Sequence, residues 1–297
     1  MDIAGIISNF NGIAQMQPEK WQVPVVSNNR LPRLSRMSIS HKLIITALAL
    51  LLTNPAAAST CSAESGKSRV ALLELYTSEG CDSCPSTDRW FSRLPQRGYT
   101  PQQVLALAFH VDYWNYLGWK DPYAQAQFSA RQREASRRNQ ARVVYTPQLL
   151  LDGTDYRRGM FDDDLGRRIN AGKAPGAQIS MSIDTRDTQP RLRARISTVS
   201  DSVQAYAAIY ENNLVTEVAA GENRGKRLRH DFVVRELYGP FAVTVATPLN
   251  LDQVIRKDRV WKTADLHIAV FVQDTRTGAA LQALDLPWCS TGQSRML

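Results

Sequence analysis

Two cysteines stand three positions apart in the stretch ELYTSEGCDSCPSTDRWF, residues 74–91, where an apolar run gives way to a helical pattern. At this spacing Cys81 and Cys84 can exchange a disulfide with a partner thiol, supply half of a metal site, or close a structural bridge. A cysteine at the start of a helix faces unpaired backbone N–H groups and the positive end of the helix dipole, and both favour the thiolate. Cys81 is therefore the expected nucleophile. Cys84, one turn further in and less exposed, is placed to resolve a mixed disulfide by attack on the Cys81 sulfur. Zinc needs about four ligands; the chain has no second paired cysteine motif, and His110, His230 and His267 are isolated in sequence. No metal or other cofactor is expected, with copper delivery kept as the special case that metal analysis of the purified protein would reveal.

The elements that must hold this pair follow from the hydrophobic pattern. Residues 70–76 read as a buried strand, 77–80 as a loop, and Pro85 onward as a helix with Trp90, Phe91 and Leu94 at helical spacing. Residues 104–111 form a second buried strand, so the cysteines sit on a strand-to-helix junction inside a β-α-β unit. An insertion over about 113–142 starts aromatic (Tyr113, Trp114, Tyr116, Trp119) and turns helical with a basic face from about Pro122. Residues 143–153 read as a strand interrupted by Pro147, followed by a return strand from 156–159 and a helix over 162–171. Residues 173–176 are the best linker. Beyond them the pattern changes to alternation over 177–185, 191–199, 205–212, 241–247 and twice within 265–286, the last two strands flanking a turn at 274–278. The fold class expected is an α/β domain over 69–172 followed by an antiparallel β-sandwich over 177–289.

Compartment decides which cysteine chemistry is permissible. Ten apolar residues at 43–52, a basic flank at His41-Lys42 and a small-residue end at Ala56–Ala58 make a secretory signal peptide, with cleavage after about Ala58. The run is too short to cross a bilayer, no later segment is long enough, and no stable membrane span is expected after signal removal. Residues 1–36 show no periodicity, and translation is expected to start at Met37; residues 59–68 form the mature N-terminal segment. All four cysteines lie beyond the cleavage point, in a periplasmic or secreted, oxidising setting. Cys61 and Cys289 bracket the mature chain, and a structural disulfide between them is expected, with lipidation of Cys61 as the rival. The net charge of +8 falls to +5 without the first 58 residues. Scattered basic residues on an exported chain point to solvated faces and away from nucleic acid.

A strand, a Cys-x-x-Cys at a helix start, a strand, and then Thr146-Pro147 before a further strand resembles the thioredoxin fold. That resemblance implies a cis Pro147 opposite the nucleophilic Cys81, with the Thr146 backbone offered to an extended substrate segment. The particular stretches ELYTSEGCDSCP, HVDYWNYLGWKDP and GENRGKRLRHDFVVREL resemble a secreted bacterial thioredoxin-like family of unknown function over nearly all of the mature chain. The family brings a fold and no established substrate. Two departures from thioredoxin stand out: no Trp precedes Cys81, and Asp82-Ser83 replaces Gly-Pro. The Asp82 carboxylate opposes the helix dipole and should raise the thiol pKa, which places the expected redox potential at the reducing or intermediate end.

Glu79, His110 and Asp112 are near enough in sequence to tune the pair or border a substrate groove. The four aromatic residues of the insertion either cap the site as an apolar platform or form the insertion's own core. The run 221–237 holds glycines with Arg224, Lys226, Arg227, Arg229 and His230 but no phosphate-binding loop pattern. It is either a long connection between strands or a surface that docks a partner or closes over the first domain. The expected function is thiol–disulfide exchange on cysteine-containing protein or small-thiol substrates, with a separate redox partner for recycling. The alternative is a non-enzymatic envelope binding protein whose disulfide is structural.

Overall fold

Apolar runs without alternation belong in strands covered on both faces, and the structure gives them that place. It is a computed structural model describing residues 60–157, 164–169, 174–186 and 188–289. Strands β2 (Ala71–Thr77) and β3 (Val104–His110) lie parallel and in register, Ala71 opposite Val104 and Thr77 opposite His110. The helix between them, α1 (Cys84–Ser92), packs Phe91 onto one face, where it meets Leu73, Leu75, Ala106 and Ala108. The insertion helix α2 (Ala126–Arg138) packs Phe128 and Ala135 onto the other face, against Leu72, Tyr76, Leu107 and Phe109. β4 (Gln148–Leu151) runs antiparallel to β2, and the two-residue β5 (Thr154–Asp155) closes that edge. The short α3 (Leu165–Ile169) buries Leu165 and Ile169 with the α1 cluster.

The second half builds two sheets. β1 (Thr60–Glu64), β6 (Ala177–Asp184), β7 (Arg191–Thr198) and β12 (Leu249–Val254) form an antiparallel sheet in the order β1-β6-β7-β12. It faces β8 (Val203–Glu211) and β13 (Leu266–Asp274) across a core that includes Ile179, Ile183, Leu192, Ile196, Ile209 and Ile268. Alternation is what sorts these residues: Ala205, Ala207 and Ile209 of β8 enter this core, while Tyr206, Ala208 and Tyr210 point to the α2 side.

The boundary expected near 172–177 does not separate two sheets. β11 (Val233–Val243) pairs with β8 along most of its length and meets β3 in parallel at Val233 and Ala108. With β14 (Ala280–Pro287), one eight-stranded sheet runs β14-β13-β8-β11-β3-β2-β4-β5 through both halves. The physical reason is the edge of β3, whose backbone groups would otherwise lie unpaired; the Ala108 amide donates to the Phe232 carbonyl at 2.8 Å.

A separate two-stranded hairpin, β9 (Leu214–Glu217) with β10 (Arg227–His230), leaves the sheet between β8 and β11. The sequence pattern at 241–247 located only the end of β11, and β1, β9, β10 and β12 carry too little alternating apolar character to be read. Gly176 of the expected linker is packed against Leu281 and donates to its carbonyl at 3.0 Å. The expected signal peptide and start residue Met37 lie outside the described residues, as do Lys173 and most of the ends of the helix expected over 162–171. Among the described residues no helix is long and apolar enough to cross a membrane.

Candidate functional site

The parallel strands β2 and β3 end side by side at Thr77 and His110, and the chain from Thr77 to Cys84 turns over that end of the sheet. Ser78 organises the turn: its hydroxyl accepts from the Gly80 amide at 3.1 Å and its carbonyl from the Cys81 amide at 3.2 Å. Gly80 lies against Trp114, whose Cβ would be 3.0 Å from an added Cβ, so a larger residue there would crowd the Trp114 segment. Helix α1 then starts at Cys84, with Ser83 before it and Pro85 in its first turn. A disulfide joins Cys81 to Cys84, with Cα atoms 5.4 Å apart, and the Ser83 hydroxyl lies 3.3 Å from the Cys81 sulfur.

Cys81 is as inaccessible as Cys84, with 1% and 0% of their surface exposed, which corrects the expectation of an open nucleophile over a sheltered resolving thiol. Two segments cover the loop. The aromatic segment brings Trp114 against Gly80 and places Trp119 so that its indole N–H donates to Glu79 at 2.8 Å. The β9–β10 hairpin brings Asn223, whose amide donates to the carbonyls of Glu79 at 2.7 Å and Cys81 at 2.9 Å.

Beneath the loop lies a set of buried ionisable groups. Glu79 meets His230 Nε2 at 3.1 Å, and His230 Nδ1 is 3.7 Å from Asp88. Asp88 lies four residues after Cys84, on the same face of α1. One of its oxygens accepts from the Thr77 hydroxyl at 2.7 Å, and the other accepts no hydrogen bond. Burial pushes the Asp88 carboxyl above its ordinary pKa, and the nearby His230 and His110 only partly oppose it. His110 Nδ1 pairs with Asp121 at 2.7 Å, and the other Asp121 contacts are the Glu79 amide at 2.8 Å and the Tyr123 amide at 2.9 Å. For His110 burial works to lower the pKa, but Asp121 outweighs it and the net shift is upward. Burial works to raise the Asp121 pKa, but the His110 charge and hydrogen bond together with the Glu79 and Tyr123 amides hold it below the ordinary carboxylate range. The rings of His110 and His230 lie edge to face, 4.9 Å apart.

Other residues singled out by sequence take varied places. The Thr146–Pro147 peptide bond is cis. Pro147 precedes Gln148, which pairs with Tyr76, so it lies at the end of β2 from which the cysteine loop departs. The Thr146 hydroxyl accepts from the Trp114 indole at 2.7 Å, which ties this segment to the wall of the loop. Asp82 is exposed, and its amide donates to Glu222 at 3.1 Å. Asp112 bonds Ser129 of α2 and is not brought to the cysteines. Of the insertion aromatics, Trp114 and Trp119 flank the loop, Tyr113 bonds Gln132 of α2, and Tyr116 is exposed. Arg224, Arg227 and Arg229 are exposed as a basic surface, but His230, grouped with them in the sequence reading, points inward. A disulfide joins Cys61 to Cys289.

Sequence reasoning missed Asp88, Asp121, Glu222 and Asn223. Asp88 had a signal, an acid at i+4 from Cys84 on an amphipathic helix. Asn223 and Glu222 lie in the run 221–237, for which closure over the first domain is one of the expected readings, but nothing in that run marks these two residues, because only the hairpin fold carries them across about 140 positions of sequence to the loop. Among the described residues no group of three or more His, Cys, Asp or Glu side chains is arranged to hold a metal ion.

A family model described as "Protein of unknown function (DUF1223)" matches residues 72–273. No curated protein matches the chain. Two solved structures are similar in fold. One is the X-ray crystal structure of a structural-genomics target protein from Agrobacterium tumefaciens, 24% identical, with a TM-score of 0.57 over 78% of this chain and 98% of that one. The other is HBP35 of Porphyromonas gingivalis, 11% identical, with a TM-score of 0.59 over 78% of this chain and 80% of that one.

Proposed function

We propose that this chain, which belongs to the DUF1223 family of proteins of unknown function, is an exported thiol–disulfide oxidoreductase with a thioredoxin-like site. The observation that carries the reading is a disulfide between residues 81 and 84 at the N-terminus of α1, with the cis Thr146–Pro147 segment at the same end of the sheet. In the forward direction a partner thiolate attacks the Cys81 sulfur, the Cys81–Cys84 bond breaks, and Cys84 leaves as a thiolate. A second partner thiolate then attacks the partner's own sulfur in the mixed disulfide and releases Cys81. The partner loses two electrons and becomes a disulfide, and the cysteine pair gains them. The reverse sequence makes the reduced protein a reductant, with Cys81 attacking and Cys84 resolving. The N–H groups at the start of α1 stabilise the Cys81 thiolate, as the leaving group in the forward direction and as the nucleophile in the reverse.

The second reading, a binding protein with a structural disulfide, is favoured by the burial of both cysteines. Insulin reduction by wild type and Cys81→Ser separates the two. The redox reading expects turnover that is lost in the variant, and equal activity in the two proteins ends it. A Cys84→Ser protein should in addition accumulate mixed disulfides through Cys81, which identifies the substrates.

A further inference from the structure

Thiol–disulfide exchange needs a path for an incoming thiolate to a sulfur atom, and the path to Cys81 is closed by identifiable groups. The hairpin turn between β9 and β10 lies over the cysteine loop, fastened to it through Glu222 and Asn223 and to the neighbouring aromatic segment through Gly221. Glu222 accepts the Asp82 amide at 3.1 Å, Gly221 lies against Trp119, and Asn223, fully buried, donates to the carbonyls of Glu79 and Cys81. The orientation of Asn223 is fixed from its other side, because its side-chain oxygen accepts from the Lys226 ammonium at 2.8 Å. The Glu79 carbonyl is thus satisfied by a side chain from a different element, and the Cys81 carbonyl by that side chain together with the Cys84 amide at 3.3 Å.

The hairpin stands apart from the two large sheets, held from below by buried Leu228 and by His230 of β10, which meets Glu79 at 3.1 Å. Its strands pair only with each other and belong to neither large sheet. It joins β8 and β11 through Asn213 and Phe232, both in the left-handed backbone region, at φ of 55° and 60°. Lifting it breaks no hydrogen bond of the eight-stranded or the four-stranded sheet.

We infer that the β9–β10 hairpin is a cap over the Cys81–Cys84 disulfide, that Asn223 is its latch, and that a substrate gains the sulfur only by displacing Asn223 from the Glu79 and Cys81 carbonyls. This rests on the oxidoreductase reading for its biological meaning, though not for its physical content. The capped state sets specificity: a partner offering backbone N–H donors to the two carbonyls replaces what the latch supplied, while a small thiol without donors must wait for the hairpin to open. Asn223 acts as a positioning residue and takes no part in bond exchange.

The test is the rate at which dithiothreitol reduces each disulfide of the full chain under native conditions, followed by alkylation and peptide mapping. Each reduction transfers two electrons from the reagent, which cyclises to its own disulfide. Cys61–Cys289 serves as the internal reference, because a variant that only loosens the fold speeds both bonds. Asn223→Ala removes two buried hydrogen bonds and is expected to speed reduction of Cys81–Cys84 by about tenfold or more, with the Cys61–Cys289 rate unchanged. Glu222→Ala, at an exposed position that does not threaten folding, is expected to speed the same bond by a smaller factor. Rates within about twofold of wild type in both variants, or parallel acceleration of the two disulfides, overturn the cap. Insulin reduction run alongside separates the two claims. Selective acceleration without insulin turnover leaves the cap standing and removes the oxidoreductase reading, whereas insulin turnover with unchanged reduction rates does the opposite.

Discussion

Arg131→Met should cost about 3–5 kcal/mol, because it would leave Glu74 buried with its charge uncompensated. Arg131 enters the protein from α2 and is almost wholly inside, with 7% of its side chain exposed against 2% for Glu74. It donates to Glu74 at 2.8 Å and to Gln273 at 2.6 Å. The guanidinium also lies over the rings of Tyr206, Phe271 and Phe109, at 4.5, 5.3 and 5.5 Å. Without it, Glu74 keeps only the Tyr76 hydroxyl at 3.2 Å as a side-chain donor. The double variant Glu74→Leu, Arg131→Met removes both charges and should recover to within about 1–2 kcal/mol of wild type, as buried pairs replaced by apolar groups commonly do. Urea unfolding followed by both tryptophan fluorescence and far-ultraviolet circular dichroism measures the cycle. Because Arg131 connects Glu74 on β2 with Gln273 on β13, the two probes should report one transition in wild type. A loss below about 1 kcal/mol in Arg131→Met, or a double variant as unstable as the single, would refute this account of how α2 couples the halves of the sheet.

The remaining expectations concern covalent and ionisable groups. Replacing Cys61 and Cys289 together by serine opens a loop of 228 residues and should lower stability by about 2–5 kcal/mol, read as the shift in urea midpoint between the two oxidised proteins. His110 holds its proton more tightly when folded, so the stability it contributes is full below about pH 6.5 and is lost as pH rises through the raised folded value. Asp121 works in the opposite sense, contributing above about pH 4 and losing that contribution as pH falls through its lowered value. A His110→Gln protein should therefore show a flatter dependence of unfolding free energy on pH above about 6.5 than wild type, and equal slopes would contradict the pairing. Asp82 stands next to Cys81, with Glu222 at its amide. Neutralising it as Asp82→Asn should favour the thiolate and make the pair more oxidising, by on the order of 10 mV in glutathione equilibration. A wild-type potential near about −120 mV would contradict the expected intermediate or reducing character.

The sequence by itself determined the local pieces around the cysteines. Continuous apolar runs marked β2 and β3, Pro85 and the spacing of Trp90 and Phe91 marked α1, and the loop between them was read from glycine and polar residues. Those features are local, because they arise from strand burial and helix-start geometry within about 40 residues of chain. The strands β6 and β7 were legible from alternation, each having one face toward a core, and β8, β13 and β14 from short apolar stretches bounded by turns, since they send residues into a core on each face.

Tertiary structure alone decided the rest. Whether the halves form separate sheets depends on what pairs with the edge of β3, and nothing in residues 104–110 names β11 as that neighbour. The polar strands of the hairpin have too little apolar alternation to be read, yet their turn supplies Asn223 and Glu222 to a loop about 140 residues earlier. Accessibility is likewise a property of everything packed around an atom. Position in the motif assigned Cys81 the exposed role, and the hairpin and the aromatic segment took that exposure away. Cys-Asp-Ser-Cys sets two sulfurs at a helix start, and the chain folded over them decides that neither is exposed.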